Sequence, residues 1–424
     1  MKEFYLKPKI FSALKGYNKS QLISDVIAGI IVAIIALPLS IALAIASGVE
    51  PANGLYTAIA AGFIVSLFGG SSIQIAGPTA AFATIVAGIV ATKGMNGLVI
   101  STILAGIMLI LMGVFKLGTL IKYIPHTITV GFTSGIAVTI LLGQIKDFLG
   151  ITYGEGIKPI EAFEKMEANI EFINTFNWQS LLIGAISLLI LIFYPKFEKK
   201  IPPSLVAVLV GSLLVGLIPM LDKGTFTIGE LYTIPSGLPK IGFSGLDFSM
   251  NNILASLPDA FTIAILAGIE SLLSCVVADS MVNSKHNSNA ELVAQGMGNI
   301  ASVLFGGIPA TGAIARTAAN AKNGGKTPIA GMVHSVVLLL VILFLVPYAG
   351  LIPMPTIAAI LFMVAYNMSE YKKFGGIIKN SPVTDKIVMV ITFLFTVVFD
   401  LVVAIGVGLG LAIVFALIKK LKNK

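Results

Sequence analysis

Two stretches decide the fold: Leu67-Phe68-Gly69-Gly70 leading to Ala76-Gly77-Pro78-Thr79-Ala80, and Leu304-Phe305-Gly306-Gly307 leading to Ala313-Ile314-Ala315-Arg316-Thr317. The tetrapeptide recurs at an offset of 237 residues, and at that offset Leu55 meets Leu292, Ala76 meets Ala313 and Thr79 meets Arg316. A weaker echo pairs Ile124-Pro125-His126-Thr127-Ile128 with Met354-Pro355-Thr356-Ile357. Each glycine pair precedes a short apolar run, near 77–92 and near 315–323. A bilayer core about 30 Å thick takes about 20 apolar residues to cross, so these runs are too short for ordinary spanning helices. They read as half-helices entered through extended segments.

Around them the chain is membrane-like throughout. Hydrophobic residues make up 56% and charged residues 11%, against roughly 25% charged in soluble domains, and mean hydropathy is +0.97. Twelve further apolar segments lie near 25–46, 52–69, 97–115, 119–146, 177–194, 202–220, 251–280, 291–306, 327–347, 350–368, 383–399 and 401–420. With the two short runs this gives an all-α polytopic membrane protein of fourteen segments, the third and tenth being half-helices. Seven segments per half is odd, so the second half enters the membrane from the opposite side and forms a 7+7 inverted repeat. Paired interrupted segments in such repeats point to a transporter's binding site. The divisions are an N-terminal arm 1–24, a first repeat 25–220, a loop 221–250, a second repeat 251–420 and a tail 421–424.

Lysine placement orients the chain. An even number of segments puts both ends on one side, with Lys2, Lys7, Lys9, Lys15 and Lys19 in the arm and Lys419, Lys420, Lys422 and Lys424 at the tail. Loops on that side carry Lys196, Lys199, Lys200, Lys285, Lys372, Lys373 and Lys379; the other side has only Lys93, Lys146, Lys158, Lys165, Lys223 and Lys240. The positive-inside rule makes the lysine-rich side cytoplasmic, in a multi-pass cell-membrane protein with both termini inside. The net charge of +8 is therefore topology and no nucleic-acid footprint. The outward loop 147–176 holds Glu161, Glu164, Lys165, Glu167 and Glu171, which suit a short amphipathic surface helix. The polar, lysine-rich first 20 or so residues do not fit a cleavable signal peptide.

Arg316 is the only arginine beside 27 lysines. Its guanidinium stays charged in poor solvent and offers a planar fork matched to oxyanions. Intramembrane charges usually face a cavity or substrate path; the plainer alternative is a structural arginine on backbone carbonyls or a carboxylate. Half-helices starting near Pro78 and Ala315 would aim their N-termini at each other, and helix N-termini offer unpaired N–H groups and partial positive charge to an anion. Pro78 suits a first helical turn. Gly77 and Gly312 allow close backbone approach, and the hydroxyls of Thr79 and Thr317 add donors. Glu270 sits mid-segment with Ser274 one turn on; its carboxylate can carry a proton, ligate a cation or neutralise Arg316. Asp25 and Asp259 read as span-start residues, Asp279 as solvated and Asp400 as part of a tight turn. His126, His286 and His334 have no zinc spacing and read as structural. The single cysteine, Cys275, excludes an intrachain disulfide and a CxxC metal site.

The stretches Pro51-Ala52-Asn53-Gly54-Leu55-Tyr56, Ala76-Gly77-Pro78-Thr79-Ala80-Ala81-Phe82, Tyr123-Ile124-Pro125-His126-Thr127-Ile128-Thr129-Val130-Gly131-Phe132, His286-Asn287-Ser288-Asn289, Gly306 through Thr317, and Ala365-Tyr366-Asn367-Met368-Ser369-Glu370 follow one another in order. Through them the sequence resembles the transmembrane domain of the SulP family, the sulfate permease-like inorganic anion transporters. The resemblance implies core and gate domains, a substrate pocket between the third and tenth half-helices, a pocket arginine at Arg316 and an eighth-segment acid at Glu270. The chain stops shortly after the last segment, so the family's usual cytoplasmic STAS domain is expected to be absent. Pro38 is followed by Leu39, with Leu43 one turn on, where many relatives have glutamine after the proline. Ala315 stands where some have serine. The pocket is thus expected to be more apolar, formed by Arg316, Thr317, Ala315, Thr79, Ala80, Pro78, Leu39 and Leu43, with Glu270 and Ser274 serving a coupling ion.

The function expected is secondary transport of a small inorganic anion, sulfate first and bicarbonate second, by alternating access and with proton or sodium symport. The protein would need no other cofactor; its partners would be the anion, the bilayer and, in a homodimer, a second copy. An uncoupled anion channel or exchanger remains as an alternative. So does a nucleobase–cation symporter, which would call for a carboxylate rather than an arginine on the tenth segment. No Walker A motif, paired catalytic carboxylates, metal cluster or nucleophile–base pattern suggests an enzyme.

Overall fold

In the computed structural model the described residues are 6–119, 125–154, 156–157, 159, 161–198, 201–222, 224–232, 242, 247–399 and 401–422. The expected turn at Asp400, the start of the fifth segment and residues 223, 233–241 and 243–246 of the 221–250 loop lie outside them, as do Lys2, Lys158, Lys199, Lys200 and Lys424. After a short turn of helix, α1 (Ile10–Ala13), the chain enters α2 (Lys19–Ala46). Asn18 starts α2 with a capping box: its side chain accepts from the Gln21 N–H at 2.9 Å, and Gln21 returns the bond at 3.1 Å. Pro51 opens α3 (Pro51–Phe68), where a missing N–H costs nothing. Next come β1 (Ala76–Gly77) and α4 (Ala80–Val114), which is broken by Gly94 at φ 66°. The positive φ at Gly94 separates the third expected segment from the fourth.

The rest of the first half is α5 (His126–Leu149), ended by Gly150 at φ 63°, then α6 (Ala162–Glu171), α7 (Trp178–Phe197), α8 (Pro203–Leu217), and the single turns α9 (Pro219–Asp222) and α10 (Ile228–Leu231). The second half runs α11 (Met250–Val282), α12 (Ser288–Leu304), β2 (Thr311–Gly312), α13 (Ile314–Lys322), α14 (Pro328–Ala349), α15 (Met354–Met368), α16 (Tyr371–Asn380), α17 (Val383–Val398) and α18 (Leu401–Lys422). Six of these, α2, α3, α4, α5, α7 and α11, are long and apolar enough to cross a membrane. The expected surface helix is α6. Helix α16 falls where a loop was expected, since its ten residues include two glycines and three lysines; Phe374 seats it on Phe393 with ring centroids 5.5 Å apart.

The helices pack in two groups. One sets α4 against α11 and α12, and α3 against α2, α12 and α14, with α13 lodged between α2 and α11. The other sets α5 against α15 and α17, with α7, α8 and α18 outside. Small residues bring α4 and α12 close: a Cβ on Gly106 would lie 2.7 Å from the Gly296 carbonyl.

At the centre of the first group the two extended segments cross. β1 and β2 pair antiparallel, Ala76 opposite Gly312 and Gly77 opposite Thr311, and the Ala313 N–H donates to Ile75 O at 2.8 Å. Non-helical backbone at membrane depth is tolerated only where protein satisfies it. Asn320 donates to Ile73 O at 2.9 Å and the Gly70 N–H donates to Glu291 at 2.9 Å. Asn299 both donates to and accepts from Ala310 at 2.9 Å, and the Ile308 N–H donates to Thr57 at 2.7 Å. These bonds explain why α3, α12 and α13 carry buried amides and hydroxyls inside apolar runs.

Candidate functional site

The half-helices start differently from expectation. Pro78 was placed in the first turn of the third segment, but the helix begins at Ala80 with Thr79 as N-cap. The residue before a proline avoids helical ψ, and Gly77 is paired in β1, so the chain stays extended through Thr79. The tenth segment begins at Ile314 rather than Ala315, because no proline delays it there. Neither N-cap side chain, Thr79 or Ala313, caps its own helix. Nine residues give α13 a length of about 14 Å, and the first leg of α4 is about 20 Å at 1.5 Å per residue; neither crosses a bilayer core.

Arg316 is 1% exposed and among the largest fully buried side chains. Its Nη2 donates to the Pro78 carbonyl, so it ties α13 to the approach of α4. Its Nε and Nη1 have no hydrogen-bond partner among the described residues. Gly77 lies beneath the guanidinium: a Cβ there would be 2.5 Å from Nη1. Buried polar groups are nearly always satisfied, and the exceptions call for a ligand, an ion or water. The structural and functional readings of this arginine therefore both find a counterpart, one nitrogen on backbone and two left over.

Glu270 is half-buried on α11 and accepts from Thr79 Oγ1 at 3.0 Å. It lies within electrostatic reach of Arg316, yet no ion pair joins them among the described residues. One turn on, buried Ser274 donates to Thr317 Oγ1 at 3.3 Å, and Thr317 Oγ1 also accepts the Ile75 N–H at 3.0 Å. So α11 braces both half-helices, α4 through Glu270 and α13 through Ser274. The hydroxyls of Thr79 and Thr317 are engaged within the protein. Ala80 is buried and Ala315 is exposed. Leu43 and Ala80 belong to the same apolar cluster, and half-buried Leu39 packs against it.

Two side chains near the crossing escaped the sequence reading. Glu291 is fully buried and accepts from Gly70, from Gln74 at 2.7 Å, from Ser271 at 3.2 Å and from Gln295 at 3.1 Å. Gln74 also donates to Ser271 Oγ at 2.7 Å. A carboxylate at the first position of an expected membrane segment was the available signal. Asp25, expected to start its own span, is the seventh residue of α2 and serves the start of α14 instead. His334, read as structural, is fully buried on α14 with neither ring nitrogen partnered among the described residues. No cluster of three metal-ligating side chains occurs among the described residues.

A helical scaffold with buried polar backbone at its centre and a charged side chain between helix N-termini is that of an integral membrane transporter. The chain matches the sulfate permease family over residues 22–392 and belongs to it. It is 46% identical over 393 residues to the putative sulfate transporter YvdB of Bacillus subtilis, covering 92% of this chain and 72% of that one. It is 32% identical over 362 residues to the bicarbonate transporter BicA of Synechocystis, covering 82% of this chain and 61% of that one. Among solved structures, the transmembrane domain of a cyanobacterial bicarbonate transporter BicA matches with TM-score 0.80 at 30% identity, over 92% of this chain and 98% of that one. The overall structure of SLC26A9 matches with TM-score 0.88 over 98% of this chain and 68% of that one; at 20% identity it shows the fold alone.

Proposed function

We propose that this protein is a secondary transporter that moves a small inorganic anion, sulfate first and bicarbonate second, across the cell membrane by alternating access. The observation that carries the reading is the Arg316 guanidinium, buried, with Nε and Nη1 unpartnered, at the meeting of two helix N-termini. Two unpartnered guanidinium nitrogens and the N–H groups of two helix N-termini suit an oxyanion. The site in this reading comprises Arg316, Thr317, Ala315, Thr79, Ala80 and Pro78, with Leu39 and Leu43 as its apolar wall. Names of relatives on both the sulfate and bicarbonate sides support the substrate class.

In the same reading Glu270 and Ser274 serve coupling to a proton or sodium ion, through the Thr79 bond that links the carboxylate to the anion end. The fourteen segments form a 7+7 inverted repeat with both termini cytoplasmic. The self-symmetric ladder supports this: the 237-residue relation carries the pair Ala76–Gly312 onto Ala313–Ile75, which is also hydrogen-bonded. The two helix groups would then be core and gate, in a homodimer that cross-linking in native membranes tests.

Purified protein in proteoliposomes, given labelled sulfate or bicarbonate under imposed proton or sodium gradients, tests the function. Saturable uptake of one anion, driven by one gradient, is the expected result. No uptake of either anion by protein shown to be inserted and monodisperse would overturn the reading.

A further inference from the structure

Asp25 in α2 and Asp259 in α11 are 234 residues apart, close to the 237-residue relation between the halves. Their partners are related in the same way. Asp25 accepts from the backbone N–H groups of Lys326 at 2.7 Å and Thr327 at 3.2 Å, and from Thr327 Oγ1 at 2.5 Å. Asp259 accepts from Lys93 Nζ at 2.5 Å. Lys93 and Lys326 are 233 residues apart. Each partner marks the junction where a half-helix turns into the next long helix: Lys93 precedes the break at Gly94, and Lys326 ends the Gly324-Gly325 turn between α13 and α14. The first long helix of each half thus grips the outer end of the half-helix belonging to the other half.

The two grips differ in kind. Asp25 is fully buried, and it also accepts from Tyr17 Oη at 2.9 Å, while neighbouring Ser24 donates to Gly324 O at 2.7 Å. Burial, and then the carboxylate it donates to, push the Tyr17 phenol up to about 12, so it stays a donor. Lys93 and Asp259 are 32% and 24% exposed, and Lys93 adds one bond to Ala255 O at 2.7 Å. Exposed ion pairs contribute little and are screened by salt, whereas a buried carboxylate stripped of partners is strongly disfavoured.

We propose that Asp25 and Asp259 are positioning residues for the anion site: Asp25 rigidly fixes the outer end of α13, which carries Arg316, and Asp259 holds the first leg of α4 through a weak, salt-sensitive contact. A half-helix about 14 Å long transmits a tilt at its outer end directly to its N-terminus. This inference rests on the anion-site reading. It adds that affinity is set from the remote ends of the half-helices, and mainly from the α13 side.

Sulfate and bicarbonate uptake kinetics in proteoliposomes test it. Asp25→Asn, which cannot accept all four bonds, should raise KM about tenfold with the rate per inserted molecule at saturation little changed. Thr327→Val, which keeps both backbone bonds to the carboxylate, should raise KM about threefold, and it carries the test if Asp25→Asn does not fold. Asp259→Asn should change KM less than about twofold. A structural role alone would lower the yield of monodisperse protein and leave KM unchanged. Wild-type KM in both Asp25→Asn and Thr327→Val, or an Asp259→Asn effect as large as that of Asp25→Asn, would overturn the proposal. Loss of Arg316 without effect on uptake would sink the anion site itself, a separable outcome.

Discussion

At the α4 end of the crossing, Thr79 gives its hydroxyl to Glu270. At the position 237 residues on, Arg316 gives one donor to the Pro78 carbonyl and keeps two nitrogens unpartnered among the described residues. One backbone arrangement, repeated, thus carries an uncharged side chain bonded to an acid at one end and an unsaturated cation at the other. The difference teaches how a duplicated frame becomes directional. Helix N-termini supply positive potential from both sides. In the proposed reading, side chains then assign anion capture to α13 and the link to a titratable or cation-binding group to α4.

The largest expected effect breaks the α13 end. Arg316→Ala removes a charge-assisted contact of about 1.5–3 kcal/mol, roughly tenfold to a hundredfold in anion affinity. Arg316→Lys should restore only part of it, since an ammonium lacks the fork. Anion titrations of purified protein check both, and wild-type affinity in the alanine variant would remove Arg316 from the site.

Glu270→Gln breaks the α4 end. Glutamine keeps the shape and still accepts from Thr79 but cannot ionise. Accumulation driven by a cation gradient should disappear while anion exchange at equal concentrations survives. Gradient-driven accumulation at the wild-type level would mean that the carboxylate takes no part in coupling. Changed anion affinity with gradient dependence retained would assign it to charge balance with Arg316.

Gly77→Ala probes the contact between the ends. Its Cβ would sit 2.5 Å from Arg316 Nη1 and force the guanidinium aside. A displacement worth about 1.4 kcal/mol would weaken uptake tenfold at subsaturating anion. Gly88→Ala on α4, with nothing within 4 Å of its Cβ, should transport normally and serves as control. Equal uptake by the two variants would show that close approach at Gly77 does not matter.

Thr79→Val sharpens the comparison with the smallest change. Losing one hydrogen bond to a carboxylate, about 1.5 kcal/mol, should shift the coupling-ion dependence by about tenfold or less. Anion affinity should move less than in Arg316→Ala. The reverse ranking, measured in the same vesicles, would place Thr79 with the anion rather than with Glu270.

Much of this was legible in the sequence. Recurring Leu-Phe-Gly-Gly marked both extended segments, because glycine is needed where backbone packs against backbone. The lone arginine was visible because charge in an apolar run is costly enough to be rare. The starts of α3 and α14, at Pro51 and Pro328, were readable from local chemistry, since N1 prolines act over a few residues, whereas α2 begins at Lys19, six residues ahead of the segment expected from 25. Tertiary structure alone decided which group each polar side chain serves. Asp25 looks like a cap for its own helix and instead grips a turn 300 residues away; Thr317, expected to donate to substrate, also accepts from Ile75 and Ser274. Glu291 looks like a segment boundary and is the buried acceptor that holds an extended strand in place. The physical reason is that composition and periodicity fix what a segment must bury, whereas the partner of a buried donor or acceptor is fixed by which distant backbone is left unpaired beside it.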